Sequence, residues 1–587
     1  MDTIINKISK LLGNTFLECG YDELYGKTAV SNRPDLCQFQ CNGAMIAAKQ
    51  YKKAPLMIAN EVIEKLDKEM FEKVEVVPPG FINMTLKDSV ISEFISNMSK
   101  DKDLGICKIS NGENIVIDYG GPNVAKPLHV GHLRSAIIGE AMKQTAKVLG
   151  YNAIGDVHLG DWGLQMGLII TEYKENHPDS NYFDEEYKGE YQPLDITLDE
   201  LNEIYPRASS RSKVDEEYLK KAQTATFELQ KGRRGYTAFW KEIMRISVAD
   251  LKESYKKLNV DFEYWYGESD SEKYIPDMLD KFIKEGHAIE SEGALVVEVE
   301  KPEDKAPMPP VIVRKSNGSQ IYATTDLATI VQRIQDFEPK MIIYFTDNRQ
   351  SLHFEQVFRC ARKTKIVTDE VLLEWNGFGT MNGKDGKPYK TRDGGVMKLH
   401  DLIEMVCAAA LNKMEEAKTG VELMVDEKES TATKVGISAL KFGDLINFRA
   451  KDYIFDLEKF VSFEGKTGPY LLYTMVRLKS ILAKAKERGY ETFEIGLPKT
   501  DVERDLMLKL LTINEAFYQS FNDRAPSVLC ENAYQIAALA NRFYYENKIL
   551  SEEDAVRRGN LLALSQYVLN VLKLHMDALA IEVPDRM

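Results

Sequence analysis

The sequence predicts a multidomain α/β protein with a doubly wound parallel sheet at its centre. Its 587 residues exceed what one hydrophobic core can organise, which indicates three or four domains. From residue 115 onward, short β-branched runs alternate with helical patterns, as in a parallel sheet covered by helices. After residue 400 the pattern is almost wholly helical, which predicts a C-terminal all-α bundle.

Composition excludes several classes of protein. The net charge of -15 argues against non-specific adhesion to nucleic acid, so any RNA contact must use local basic patches. Seven scattered cysteines form no disulfide framework and indicate reduced thiols. The N-terminus lacks the features of a signal peptide, and no apolar run is long enough to span a bilayer. We therefore expect a cytoplasmic protein that makes no membrane contact.

Residues 1–105 form the first predicted domain, an α+β module. Helical spacing predicts helices over 1–19, 42–52 and 55–71, with Pro55 at a first helical position. Alternating apolar residues over 74–86, around a Pro-Pro-Gly turn, predict two strands. This module contains no catalytic constellation.

The second predicted domain, over 110–400, begins with a strand, a loop rich in Gly and Pro, and a helix ending near Gly150. His129-Val-Gly131-His132 lies at the turn into that helix, whose N-terminus suits a polyphosphate. Two imidazoles can donate hydrogen bonds to an α-phosphate under attack, and Gly131 lets an adenine ring approach the backbone. Zinc is the alternative ligand, but no other His or Cys pair has metal spacing, so we predict no tightly bound metal.

The same domain is predicted to continue with alternating elements around a charged helical insertion at about 176–264. Further strands are predicted over 152–157, 294–299, 311–314 and 341–345. Helices are predicted from Leu327 and from near Leu352.

The segment GGPNVAKPLHVGHLRSAIIGEAM, here called the signature segment (residues 120–142), resembles the first signature of class I aminoacyl-tRNA synthetases. Its extended form, and HLGDWGLQMGLI at 158–169, resemble arginyl-tRNA synthetases. The resemblance implies a class I Rossmann-like catalytic domain and an N-terminal domain that contacts the tRNA elbow. It also implies a helical stem over 401–465 and an anticodon-binding bundle over 466–587. The implied activity is a ligase that activates L-arginine with ATP and transfers it to the 3′-terminal adenosine of arginine tRNA, with activation requiring bound tRNA.

Residues 381–399 form a loop rich in Gly, Lys and Arg at the place where class I synthetases carry a mobile motif over the triphosphate. Its matching residues are Lys390, Thr391 and Arg392. Asp393 stands where a second Lys is usual, and an acidic side chain cannot bind pyrophosphate. The resemblance implies that Lys126, just ahead of the two histidines, supplies the missing cation. A solvated basic loop is the alternative.

An arginine substrate needs carboxylates placed for forked hydrogen bonds to its guanidinium. The resemblance assigns Glu268 and Asp326 to the guanidinium, and Asn123 and Gln350 to the α-amino and carboxylate groups. It also implies that Tyr322 closes the pocket and that Asp118 belongs to it. Taken singly, Asp326 reads equally as a helix N-cap and Glu268 as a surface charge.

The predicted bundle has a local basic excess between Glu464 and Arg488, with six Lys or Arg against two Glu. Exposed tyrosines beside cations can stack a splayed anticodon base. We therefore predict anticodon contacts from Tyr470, Tyr473 and Tyr545, and the resemblance adds the final Met587. Packing of these tyrosines inside the bundle is the alternative.

Three other functions deserve comparison. A class I enzyme for glutamate would line its pocket with cations instead of Glu268 and Asp326. A tRNA-binding relative without activity would show a damaged signature, whereas His129, Gly131 and His132 are intact. A small-molecule nucleotidyltransferase would leave the C-terminal bundle without a purpose. We expect ATP with Mg²⁺ as the substrate complex, L-arginine and arginine tRNA as partners, and a monomer.

Overall fold

The computed structural model describes residues 2–316, 318, 320–389, 397–420 and 422–587. The N-terminal module contains helices α1 Ile4–Glu18, α2 Gly43–Tyr51, α3 Pro55–Lys65 and α4 Asp88–Lys100, and strands β1 Thr28–Val30, β2 Phe39–Cys41, β3 Phe71–Val77 and β4 Phe81–Leu86. The strands form an antiparallel sheet in the order β1-β2-β4-β3. Pro55 opens α3 as predicted, but α3 stops at Lys65 because Leu66 is extended and Phe71 already pairs in the sheet.

The described residues after the N-terminal module contain nine further strands, which are β5 Asn114–Asp118, β6 Asn152–Asp156, β7 Ile289–Ser291, β8 Ala294–Val297, β9 Val311–Arg314, β10 Met341–Asp347, β11 Leu372–Phe378, β12 Met381–Asn382 and β13 Tyr453–Ile454. Four of them form the central parallel sheet in the order β11-β10-β5-β6. Helices lie on both sides of it, because Ile115 and Ile117 belong to one buried cluster and Val116 to another. This confirms the predicted fold class.

The helices of this region are α5 Val130–Val148, α6 Leu164–Asn176, α7 Leu198–Ser212, α8 Glu216–Gln230, α9 Arg234–Lys257, α10 Glu268–Ser271, α11 Ile275–Lys284, α12 Tyr322–Phe337 and α13 Ser351–Lys363. Helices α7 to α9 make up most of the insertion, and α6 packs against α7 and α8. Helix α12 begins five residues before the predicted Leu327. Asp326 therefore lies inside the helix, and its reading as an N-cap is wrong.

Two predicted strands do not belong to the central sheet. Strands β8 and β9 pair antiparallel with each other, and β7 joins them in a separate three-stranded sheet. Alternating apolar residues fit a strand in either sheet, so sequence patterning could not assign these strands to one of them. The central sheet continues instead with β10 and β11.

The C-terminal half is helical as predicted, with α14 Leu399–Glu416, α15 Val425–Leu445, α16 Leu457–Phe460, α17 Gly468–Glu487, α18 Asp501–Leu511, α19 Ile513–Asn522, α20 Pro526–Glu546 and α21 Ala555–Ala578. Helical spacing over 502–521 predicts one helix, but the structure has two, because Thr512 leaves helical geometry at φ -110° and ψ 19°. A buried ion pair joins this half to the catalytic helix α5, with Arg134 Nε 3.1 Å from Asp444 Oδ2.

Candidate active site

The two signature histidines lie at the N-terminus of α5, directly after the carboxyl end of β5. His129 is the N-cap residue, and its extended backbone, at φ -127° and ψ 172°, stops the helix from starting earlier. Its Nδ1 accepts a hydrogen bond from Gly131 N at 3.0 Å. His132 Nδ1 in turn accepts from His129 N at 3.1 Å. Each ring thus caps one of the free N–H groups that a helix N-terminus presents.

These contacts fix the tautomer of both rings. Burial and the nearby charge of Lys126 lower the pKa of His129, and burial, with smaller effects of His129 and Lys126, lowers the pKa of His132 to about 3. Both rings are therefore neutral near pH 7. Because each Nδ1 accepts a backbone N–H, the ring proton sits on Nε2. The turn presents two neutral Nε2–H donors.

Gly131 is required by the packing of the two rings, whose centroids lie 4.0 Å apart. A Cβ at position 131 would lie 2.8 Å from His129 Cε1, closer than side-chain carbons approach in folded proteins. Any side chain there would push the His129 ring away from its hydrogen bond. The residue is also exposed, so a flat ligand can approach its backbone.

Asn123 is positioned by the loop after the neighbouring strand β6. Val124 N donates to Gly160 O at 3.1 Å, and Gly160 N donates to Pro122 O at the same distance. A Cβ at Gly160 would lie only 2.0 Å from Asn123 Oδ1, so glycine lets the two loops meet. Asn123 is exposed at the carboxyl edge of the sheet, where ligands of such folds bind.

Glu268 and Asp326 come close enough to influence each other. Glu268 opens α10, and its backbone N donates to Leu159 O at 3.0 Å. Burial raises the pKa of Glu268 to about 7; the charge of His158 opposes this rise, and the carboxylates Asp161 and Asp326 add to it. The structure thus brings together two carboxylates that are 58 positions apart in the sequence.

Tyr322 and Gln350 lie at the rim of the same region. Tyr322 is the first residue of α12 and is exposed, yet desolvation of its hydroxyl and the Glu268 charge raise its pKa. Gln350 is exposed; it ends the short turn Asn348–Gln350 that follows β10 and is the N-cap residue of α13. Their roles in binding arginine stay predictions.

His353 is a site residue that the sequence did not assign to the arginine pocket. Its Nε2 lies 2.5 Å from Asp326 Oδ2. Burial alone would lower the pKa of His353, but the hydrogen bond and charge of Asp326 raise it above its usual value. A histidine that starts a helix gives no sequence signal for such a partner, because Asp326 is 27 positions away.

Asp118 has an internal partner instead of a free carboxylate. The buried guanidinium of Arg333 donates from Nη2 to Asp118 Oδ2 and to Asp156 Oδ2, each at 2.6 Å. Burial raises the pKa of Asp118, and the Arg333 charge opposes that rise. One oxygen of Asp118 is therefore already occupied by Arg333, and the predicted place of Asp118 in the arginine pocket stays a prediction. Arg333 sits on α12, and nothing in its sequence context signalled a buried arginine.

The predicted phosphate-binding loop is described only at its two ends. Lys390, Thr391, Arg392 and Asp393 lie outside the described residues. Beyond them, Val130 N donates to Met397 O at 3.2 Å, and Leu399 N donates to Leu128 O at 2.9 Å. The chain thus returns from the loop directly beside the signature histidines. Lys126, the proposed compensating cation, lies with its ammonium 4.2 Å from the ring centre of Tyr205.

A second concave surface lies in the C-terminal bundle, here called the bundle cleft, with a volume of about 1400 Å³. Tyr473, Tyr545 and Met587 line it, together with seven Lys or Arg and three Asp or Glu. Tyr545 is 79% exposed. Tyr470 lies outside the lining, since its hydroxyl accepts from Asn541 Nδ2 at 3.0 Å and its ring packs on Tyr534. Tyr470 is half-buried against these neighbours, and its predicted anticodon contact stays a prediction.

The described residues contain no group of three His, Cys, Asp or Glu side chains that could hold a metal ion. Across the same residues, every helix is too short or too polar to cross a membrane. The site presents imidazole N–H groups, a lysine and carboxylates. The N–H groups and the lysine suit a phosphate chain, and the carboxylates suit a cationic substrate.

Three family models match the chain in order. Residues 2–86 match the arginyl tRNA synthetase N terminal domain, 94–457 the catalytic domain of class I (R) tRNA synthetases, and 471–587 the DALR anticodon binding domain. An arginine–tRNA ligase of Alkaliphilus oremlandii is 50% identical, and each chain is covered completely. One of Agathobacter rectalis is also 50% identical, again over the whole of both chains. The chain belongs to the arginyl-tRNA synthetase family.

Solved structures of low sequence identity have the same fold. The arginyl-tRNA synthetase of Plasmodium falciparum has a TM-score of 0.82 at 24% identity, and that of Thermus thermophilus 0.78 at 21%, with complete coverage of all chains. Membership of the arginyl-tRNA synthetase family makes the chain a class I synthetase, whose family reaction is the aminoacylation of arginine tRNA. The expected family and enzyme class are thus confirmed.

Proposed function

We propose that this enzyme performs the family reaction with its two signature histidines at the α-phosphate of ATP. The arginine carboxylate attacks that phosphorus in line, forming arginyl-adenylate and releasing pyrophosphate. The two neutral Nε2–H groups at the α5 N-terminus support this role. They donate to the oxygens on which charge grows during attack, and being preorganised they need no rearrangement. No side chain acts as the nucleophile, so positioning and charge stabilisation supply the catalysis.

The arginine side chain binds between Glu268 and Asp326. A guanidinium presents five N–H donors, which match two carboxylates. The charge of Asp326 contributes to the raised pKa of Glu268, which supports one shared pocket. His353 Nε2 lies 2.5 Å from Asp326 Oδ2, so the incoming guanidinium takes over a partner that His353 holds. Asn123 and Gln350 hold the α-amino and carboxylate groups, and Tyr322 covers the pocket.

The triphosphate is neutralised by Lys126 and by the loop that carries Lys390, Thr391 and Arg392. Mg²⁺ enters with ATP, bound to its phosphate oxygens and water, because this ion usually retains several waters. The protein residues contribute cations to the leaving pyrophosphate, and the loop ends beside Leu128 and Val130, at the mouth of the nucleotide site.

The bundle cleft binds the anticodon. Its basic excess suits phosphates, and the exposed ring of Tyr545 suits stacking on an unpaired base. Tyr473 and Met587 complete the lining. In the second step a hydroxyl of the terminal adenosine of tRNA attacks the carbonyl carbon of the adenylate, which forms the arginyl ester and releases AMP. The protein acts as a cytoplasmic monomer, and its domains follow the limits predicted from the sequence.

Pyrophosphate exchange into ATP tests this function directly. The enzyme is given each amino acid separately, with and without total tRNA. Of all the amino acids, only arginine should support exchange. Comparing the reactions with and without tRNA shows whether activation requires tRNA. Exchange with another amino acid would contradict the pocket assigned to Glu268 and Asp326. Absence of exchange with every amino acid, in the presence of tRNA, would contradict the proposed ligase.

A further inference from the structure

The loop that carries Lys126 is held by the helical insertion. Ala125, one residue earlier, has φ +56°, a left-handed conformation that residues other than glycine seldom adopt. Its N–H donates to the buried hydroxyl of Ser247 on α9 at 3.1 Å. The carbonyl of Val124 accepts a hydrogen bond from Gln165 on α6. A strained backbone persists only where its surroundings fix it, and here helices of the insertion region do so.

The side chain of Lys126 also ends on the insertion. Its ammonium lies 4.2 Å from the ring centre of Tyr205, a residue of α7. At this distance the negative face of the ring attracts the cation. A lysine has a long flexible stem, so a contact at its charged end removes most of its freedom. Backbone and ammonium are thus both held by the same structural unit.

Tyr205 itself is rigidly placed. Leu201, Ile204 and Ala208, on the same side of α7, are buried. On the same helix, Arg207 Nε donates to Glu172 Oε1 on α6 at 2.6 Å. Helix α6 also carries Gln165, which holds the Lys126 loop. The ring and the lysine are therefore fixed relative to one and the same helix.

Tyr205 also approaches the arginine pocket. After desolvation and the charge of Glu268, Tyr205 is a further contributor to the raised pKa of Tyr322. The Tyr205 side chain thus contacts the cation of the nucleotide site and is near enough to Tyr322 to affect its pKa.

We propose that Tyr205 is a positioning residue for ATP binding, which aims the Lys126 ammonium at the phosphates of the nucleotide. The helical insertion then takes part in the chemistry of the first step. This inference rests on the proposed role of Lys126 and adds the residue that directs it. The competing role for Tyr205 is simple packing, since it also contacts the buried cluster of Leu168, Ala208, Tyr218 and Ala222.

A double-mutant cycle in the full-length enzyme separates these roles. The variants are Tyr205→Leu, Tyr205→Phe, Lys126→Met and the double variant Tyr205→Leu with Lys126→Met. The readout is kcat/KM for ATP in arginine-dependent pyrophosphate exchange with tRNA present. Tyr205→Leu should lower it about five- to tenfold, and Tyr205→Phe less than about twofold, because phenylalanine keeps the ring face. In the Lys126→Met background, Tyr205→Leu should have no further effect.

A matched control is Tyr191→Leu, which removes another ring of the insertion, one that lies 5.1 Å from the Arg234 guanidinium. It should leave kcat/KM for ATP unchanged. Additive effects of Tyr205→Leu and Lys126→Met would overturn the positioning role. If Lys126→Met alone has no effect on ATP, the proposed function of Lys126 fails instead.

A second series does not depend on the folding of Tyr205→Leu. Phenylalanine with increasing fluorination at position 205 keeps the size of the ring and weakens its negative face. The positioning role predicts that kcat/KM for ATP falls stepwise along the series. A flat series would contradict it and would leave packing as the role of the ring.

Discussion

The nucleotide half of the active site (Lys126, His129, Gly131 and His132) and the arginine half (Glu268, Tyr322, Asp326 and Gln350) are built in opposite ways. The first comes from seven consecutive positions at one helix N-terminus, and its hydrogen bonds are local. The second is collected from three segments that only the sheet brings together. Local geometry sets the two histidines of the first half, whereas distant helices hold its Lys126. Tertiary packing sets the whole of the second half.

Burial shifts both halves towards neutral side chains, with different consequences. It lowers the pKa of His129 and His132, which leaves neutral donors ready for use. Burial also raises the pKa of Glu268 to about 7. The carboxylates of the arginine half are therefore incompletely charged until a cation enters. The nucleotide half is therefore complete before the substrate binds, whereas the arginine half is completed by its substrate.

Loss of a donor in the nucleotide half should have the largest effect. His132→Ala should lower the rate of adenylate formation by about 10²- to 10³-fold, the usual cost of one donor to a developing negative charge. The KM for arginine should hardly change, and single-turnover measurement of arginyl-adenylate checks both. His132→Gln, whose amide N–H can replace Nε2–H, should recover part of the rate. Equal loss in both variants would contradict the donor role.

The next largest effect should come from the arginine half. Asp326→Asn removes one charge of the pocket and should raise the KM for arginine about 10- to 100-fold, in keeping with loss of a charge-assisted pair. The KM for ATP should stay within about twofold, since the two halves are built separately. Asp336→Asn, an exposed carboxylate on the same helix, is the matched control. Equal rises in the KM for arginine and in the KM for ATP would contradict the conclusion that the two halves are built separately.

The pH dependence of arginine binding tests the incomplete charge of the arginine half. Below its pKa of about 7, Glu268 is neutral and cannot balance a guanidinium. The KM for arginine should therefore rise roughly tenfold as the pH falls from 8 to 6, because one proton must leave on binding. Protonation of His353, which holds Asp326, acts in the same direction.

Glu268→Gln should raise this KM at pH 8 and flatten the profile between pH 6 and pH 8. A profile that keeps its slope in Glu268→Gln would assign the titration to His353. His132 of the nucleotide half gives the contrast, because its pKa of about 3 leaves this ring neutral from pH 6 to pH 8.

Substitutions in the bundle cleft should have the smallest effects on the active site, because the cleft lies in another domain. Tyr545→Ala should raise the KM for tRNA roughly tenfold, as expected for loss of one stacked base. Exchange kinetics with saturating tRNA should keep the same KM values for arginine and ATP. Tyr470→Phe, outside the cleft lining, should leave the KM for tRNA unchanged and lower Tm slightly, because its hydroxyl accepts from Asn541. A larger rise in the KM for tRNA in Tyr470→Phe than in Tyr545→Ala would contradict the assignment of the cleft to the anticodon.

The sequence by itself predicted the strand, loop and helix around His129, the helical C-terminal half and the parallel central sheet. These features depend on periodicity, on glycine at a crowded turn and on hydrogen bonds between neighbours, all of which are local. Its resemblance to known synthetases gave the family. The roles of the individual site residues, and the domain limits, stay predictions that the experiments above address.

Tertiary structure decided what local patterns cannot carry. Tertiary packing pairs Asp118 with Arg333 and Asp326 with His353. It places β8 and β9 in a separate sheet, and it brings Asn541 to the hydroxyl of Tyr470. It also brought Tyr205 from the insertion to Lys126. A side chain shows its type in the sequence, but its partner depends on which distant segments fold against it. In a buried site that partner determines charge, because a carboxylate, an imidazole or an ammonium removed from water is charged only where a neighbour compensates it.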